Sequence, residues 1–200
     1  MISYFKNEKT KILFLSSDSV FNSEQIERSE YSKPMPSTIY GKQKYAVEQF
    51  LLNEFREHAI ILRLTKVLSK ISPICKPLLS KDKKEFLEFR YKKNYFFAPI
   101  TIDYCLANIF KLLQHNKSGV YHFSNERIVS SFDLFFDLSV RLDIFSQNRL
   151  FFRDNDKNTN QITHRGYLNM VDTPKEIFVE PEKYNSLIDY LSNENLSVNL

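Results

Sequence analysis

Two short apolar runs constrain this chain more than any other feature: Lys11-Ile12-Leu13-Phe14-Leu15 and Ala59-Ile60-Ile61-Leu62-Arg63-Leu64. Short, nearly continuous apolar runs of this kind are the pattern of strands buried in a parallel sheet. The first is followed by Ser16-Ser17-Asp18-Ser19-Val20-Phe21 and a polar loop carrying Glu27, Glu30, Pro34 and Pro36. A helix is predicted from Ile39 to about Glu57, with Tyr45, Phe50, Leu51 and Phe55 on an apolar side and Lys42, Glu48 and Glu54 on a polar one. Strand, loop, helix and strand in that order form a right-handed crossover unit. The fold class is therefore α/β, and chemistry in such sheets gathers at the carboxyl ends of the strands. Ser17 and the start of the helix both fall on that edge.

The helix opens with Tyr40-Gly41-Lys42-Gln43-Lys44. Residues four apart on a helix share a face, one turn above each other. An ammonium beside a phenol favours the phenolate, which turns a tyrosine into a usable acid–base group at neutral pH. Taken alone, such a spacing also arises by chance on helix surfaces. Its setting, with a strand-end hydroxyl at Ser17, points to carbonyl or alcohol chemistry beside a nicotinamide.

Several segments together resemble the extended short-chain dehydrogenase/reductases, and within them the dTDP-4-dehydrorhamnose reductase type. Leu15-Ser16-Ser17-Asp18-Ser19-Val20-Phe21 resembles that family's strand end, and Tyr40-Gly41-Lys42-Gln43-Lys44-Tyr45-Ala46-Val47-Glu48 its Tyr-Gly-x-x-Lys-x-x-x-Glu helix. Downstream, Phe97-Ala98-Pro99-Ile100-Thr101-Ile102-Asp103-Tyr104-Cys105-Leu106-Ala107 and Gly119-Val120-Tyr121-His122-Phe123-Ser124 resemble two further family segments, in family order. The resemblance implies that Tyr40 is the catalytic acid. It implies that Lys44 activates Tyr40 and hydrogen-bonds the nicotinamide ribose, and that Ser17 orients a sugar carbonyl. Tyr40 and Lys44 would thus also be the cofactor-contacting residues, with NAD or NADP as cofactor and a nucleotide sugar as substrate. Ser19 stands where the family carries a tyrosine, and Leu64-Thr65-Lys66-Val67 departs from its Thr-Ser-Trp-Val-like segment.

The family's glycine-rich phosphate turn has no counterpart. The chain has three glycines, Gly41, Gly119 and Gly166, and no two are spaced to cradle a pyrophosphate. The expectation is a Rossmann-like sheet lacking its first half, with 1–70 as residual dinucleotide-binding half, 71–192 as substrate-binding region and 193–200 as flexible tail. Such a chain is either a reductase or epimerase whose cofactor site is completed by a partner subunit or a homo-oligomer, or a non-catalytic module binding a nucleotide sugar or a protein.

Other classes find little support. A net charge of +4 is mild, and the basic stretch Lys81, Lys83, Lys84, Arg90, Lys92 and Lys93 is diluted by Asp82, Glu85 and Glu88, so no nucleic-acid partner is expected. Cys75 and Cys105 read as reduced, buried thiols of a cytoplasmic protein. His58, His115, His122 and His164 lack metal-ligand spacing, and no metal is expected. No apolar run is long enough to span a bilayer, and the start has no signal-peptide pattern. Further elements are a helix over Leu78–Tyr91, an extended piece Tyr95–Ala98, a helix from Thr101 to Gln114 and a turn at 116–119. Then come a helix capped at Ser130-Ser131-Phe132-Asp133, a charged loop Arg153–Asn160 and a last short helix Asn185–Leu191.

Overall fold

In the computed structural model the described residues are 10–25, 28–72, 75, 87–91, 94–144, 150–154, 164–166, 168, 170 and 180–193. The two apolar runs form β1 (Ile12–Ser17) and β2 (Ala59–Leu64), joined through a 3-10 turn (Asp18–Val20) and helix α1 (Ile39–Glu54). They pair in parallel, Ile12 opposite Ala59 and Leu15 opposite Leu62. A later strand, β7 (Gly119–Phe123), pairs in parallel with the other side of β2, giving the order β1-β2-β7. β2 is central and buried on both faces, which is why its apolar run is unbroken.

The two faces carry separate cores, because successive side chains of a strand point to opposite sides. On one face Leu51 and Phe55 at the end of α1 pack with Ile12, Phe14, Ala59 and Ile61. On the other, Cys105 and Leu112 of α2 (Ile102–Gln114) pack with Ile60, Leu62, Tyr121 and Phe123. Helix α2 leads back to β7 through a turn in which Asn116 and Gly119 take positive φ, 50° and 124°. Asparagine and glycine are the residues that tolerate this region.

Between β2 and α2 the chain makes short strands β3 (Val67–Leu68), β4 (Leu87–Tyr91), β5 (Tyr95–Phe97) and β6 (Ile100–Thr101). After β7 come β8 (Val129–Ser130), α3 (Ser131–Arg141), β9 (Leu150–Asp154), β10 (His164–Gly166) and α4 (Tyr184–Ser192). β5 pairs with β10 in parallel and with β8 antiparallel, while β3 pairs with β6. A further core of Phe97, Val129, Leu134, Phe135, Leu138, Leu187 and Leu191 joins α3 and α4 to β5 and β8. Helix α3 begins with a capping box: Ser130 Oγ accepts from the Asp133 N–H at 3.1 Å, and the Asp133 carboxylate accepts from the Ser130 N–H.

Three expectations are corrected. Leu87–Tyr91 is a strand paired in parallel with Leu150–Asp154, not the end of a helix. Leu87, Phe89 and Tyr91 alternate with Glu88 and Arg90, the period of a strand. The rest of that expected helix lies outside the described residues. Arg153 and Asp154 close β9 rather than opening a loop, and 155–160 are likewise outside. Lastly, Glu48 is fully buried while Phe50 is exposed, so the polar and apolar sides of α1 are not as the pattern suggests. The expected tail beyond Asn193 falls outside the described residues.

Cys75 and Cys105 are both buried, and burial pushes their thiols up to about 11 and about 12. The thiolate is the reactive form. At pH 8 a disulfide-exchange reagent is expected to label neither cysteine in the native chain and both in guanidinium, read as two equivalents of released chromophore.

Candidate active site

The carboxyl end of β1 and the start of α1 are held together by a close approach. Thr38 caps α1, its Oγ1 accepting from the Gly41 N–H at 3.0 Å. A Cβ on Gly41 would lie 2.0 Å from the Ser19 carbonyl oxygen and 3.0 Å from Pro36 Cβ. Only glycine allows the first turn of the helix to sit directly on the turn that follows β1. Tyr40 is the residue before this contact, half-exposed at 52%. Lys44 follows one turn later, its Nζ 5.5 Å from the Tyr40 ring centre and 4.9 Å from that of Phe14. The Lys44 ammonium donates to the Leu15 carbonyl at 2.9 Å.

Ser17 lies on the same edge but works within its own turn. Its Oγ accepts from the Ser19 N–H at 3.1 Å and donates to Asp18 at 2.8 Å. The structure thus brings Tyr40 and Lys44 together and puts Ser17 at the strand end beneath their helix. It gives Ser17 an immediate job as the cap of the 3-10 turn.

Beneath these residues is a buried polar cluster whose members the sequence reading did not connect. Arg63 of β2 donates to both oxygens of Glu48, with Nη2 at 2.8 Å and Nε at 3.2 Å, and both side chains are almost wholly shielded from water. Ser16 Oγ donates to the same carboxylate. The guanidinium lies 5.2 Å from the Phe21 ring centre, and its Nη1 is 3.4 Å from His122 Nε2 of β7. A guanidinium can only donate, so Nε2 accepts. The available signal was the placement of Glu48 four residues after Lys44 and of an arginine inside an otherwise apolar strand. Tyr95 was also missed. Burial, and secondly the Asp18 carboxylate, hold its phenol above the ordinary value.

The arrangement offers a half-exposed phenol, an ammonium one turn along and hydroxyls at a strand end: groups that donate and accept protons, not a metal cage. Among the described residues there is no cluster of three metal-ligating side chains. No described helix is long and apolar enough to cross a membrane.

A parallel sheet with helices on both faces and polar groups at its carboxyl edge defines a Rossmann-like α/β protein. The family model of the RmlD substrate binding domain matches residues 3–175, and the chain belongs to that family. Solved structures agree in fold. The dTDP-4-dehydrorhamnose reductase of Bacillus anthracis, in complex with NADP, superposes with a TM-score of 0.70 at 19% identity, covering 90% of this chain and 64% of that one. The dTDP-glucose 4,6-dehydratase of the same organism, in complex with NAD, gives 0.72 at 13%, covering 96% and 62%. The UDP-N-acetylglucosamine 4-epimerase of Methanobrevibacter ruminantium, in complex with UDP-N-acetylmuramic acid, gives 0.73 at 16%, covering 96% and 64%. The chain thus spans less than two thirds of these proteins. No curated protein sequence matches it.

Two substitutions test what positions the site. Glu48→Leu leaves the Arg63 charge buried and unpaired and is expected to cost about 3–5 kcal/mol in urea unfolding, with Glu48→Leu/Arg63→Met recovering most of it. Gly41→Ala must push the helix start off the Ser19 carbonyl. It is expected to cost about 1–3 kcal/mol, the range for overpacking, and to alter near-UV circular dichroism from Tyr40.

Proposed function

We propose that this chain carries the proton-transfer side of a nicotinamide-dependent sugar-nucleotide reductase or epimerase. The carrying observation is the Gly41–Ser19 close approach, which seats Tyr40 and Lys44 over the β1 end that bears Ser17. In this reading the Tyr40 hydroxyl gives its proton to the carbonyl oxygen of a keto sugar, or takes one from the corresponding alcohol. Lys44 stabilises the phenolate left behind, and Ser17 holds the sugar oxygen. Family membership, and neighbours whose structures hold NADP, NAD or a UDP-sugar, support a nucleotide sugar as substrate and NAD or NADP as cofactor.

The residues present fit only one end of such a cofactor. Lys44 and Tyr40 suit a nicotinamide ribose. Among the described residues no pyrophosphate cradle accompanies them: the space a Cβ would occupy at Gly41 is filled by the Ser19 carbonyl, Gly119 lies at the opposite end of its strand, and Gly166 closes β10 on a different sheet. Hydride transfer is therefore not assigned to this chain alone. The same observation favours a second reading, a module that binds a nucleotide sugar or a protein without turning anything over, with Ser17 and Lys44 kept in the hydrogen bonds described above.

Titration of the purified chain with NADH and NADPH separates the two. Saturable binding below about 1 mM, near the upper end of ordinary enzyme affinities, supports the catalytic reading; its absence leaves the binding module. Where turnover of a keto sugar nucleotide is found, Tyr40→Phe is expected to lower it by at least about 100-fold, the low end for general acid catalysis, at unchanged cofactor affinity. Unchanged turnover removes Tyr40 from the mechanism.

A further inference from the structure

One face of the sheet carries a polar row among apolar ones. Ser16 of β1 lies opposite Arg63 of β2, and Arg63 opposite His122 of β7. Side chains paired in this way across neighbouring strands share a face. Here it is the face under α1, whose Glu48 meets both Ser16 and Arg63. All three members of the row are buried, His122 completely. The loop ahead of α1 closes over them. Its Glu30 carbonyl accepts from Arg63 Nη1 at 3.5 Å, and the Phe21 ring meets the His122 ring edge-on, 6.0 Å between centres.

The charges gathered there are balanced. Among the described residues they are Arg63 of β2, Glu48 of α1, and Arg28 and Glu30 of the loop, all buried, while β1 adds the Ser16 hydroxyl. The two guanidinium and two carboxylate groups cancel in formal charge. The Arg28 guanidinium donates to the Asn22 and Gln25 carbonyls, and the Glu48 carboxylate is committed to Arg63 and Ser16. His122 fits among them in one form. Its Nε2 accepts from Arg63 Nη1 at 3.4 Å, so that nitrogen carries no proton. An imidazolium there sets donor against donor and adds an uncompensated charge in a site closed to water, which is strongly unfavourable.

We propose that His122 is an acid-sensitive lock on the helix that carries Tyr40 and Lys44. Neutral, it accepts from Arg63 and holds the guanidinium where Glu48 needs it. Protonated, it displaces the guanidinium, and α1 lifts from the sheet. A histidine in water takes up its proton near pH 6.5. The open state therefore binds a proton that the locked state refuses. The lock is at full strength above about pH 6.5 and weakens progressively as the pH falls below it. Because Lys44 and Tyr40 lie one and two turns before Glu48, opening displaces both from the end of β1. The lock concerns the seating of α1 and stands independently of the reaction proposed above.

Amide hydrogen exchange of the full chain at pH 7 and pH 5 tests this, with the intrinsic pH dependence of exchange removed. The comparison is with His122→Gln, whose side-chain oxygen can accept in place of Nε2 and does not titrate. In the wild type, protection of the α1 amides from Glu48 to Leu51 is expected to fall about 25-fold between the two pH values. That is the ratio set by one proton taken up near pH 6.5 by the open state alone. In His122→Gln it is expected to stay level. Helix α3 packs in a different core, and its amides are expected to show no such difference between the two chains. Equal falls in α1 of both chains, or no fall in the wild type, overturn the proposal. So does an equal loss in α3, which marks general instability. Should His122→Gln fail to fold, the ring itself decides. By nuclear magnetic resonance of the folded wild type, His122 is expected to stay neutral down to pH 5 while the exposed His115 titrates. Titration of His122 alongside His115 overturns the lock.

Discussion

The pairing of Glu48 with Arg63 is the interaction on which the rest of the arrangement depends. It joins the middle of α1 to the central strand, and through Ser16 and His122 it reaches β1 and β7 as well. A carboxylate and a guanidinium removed from water are tolerable only when their hydrogen bonds are met. Here both carboxylate oxygens accept from the guanidinium, and the Phe21 ring lies 5.2 Å from it. Few relative positions of helix and sheet meet these conditions. Lys44 lies one turn before Glu48 and Tyr40 two turns before it, so the same pairing sets the depth and rotation of both over the sheet edge.

A second buried carboxylate ties the sheet to the later part of the chain. Glu182 accepts from the Thr101 N–H at 2.7 Å and from its hydroxyl at 2.6 Å, just where α2 begins. Burial still holds this carboxyl above the ordinary range, against the pull of those two donors. Backbone bonds from Glu182 to Ser124 and from Glu126 to Glu182 continue the link past β7. Phe97 of β5 belongs to the core that joins α3 and α4, with Tyr95 packed against it.

The opposite side of the sheet is open to water among the described residues. β1 has apolar side chains on both faces but a helix over only one, and α2 has more apolar surface than β2 and β7 cover. Contiguous exposed apolar surface beside an open edge makes an isolated chain prone to associate.

The sequence alone determined the elements whose cause is local. The unbroken apolar runs marked β1 and β2, Ser130 and Asp133 marked the start of α3, and the four-residue spacing put Tyr40 and Lys44 on one face. It erred at Leu87–Tyr91, where a period of two was overlooked, and at Glu48, because a pattern of polarity contains no partner. Tertiary structure alone decided that Glu48 is buried against Arg63, that Gly41 must be glycine to meet Ser19, and that Leu13 and Leu15 stay open to water. These depend on which surfaces meet across tens of residues, and spacing along the chain does not carry that information.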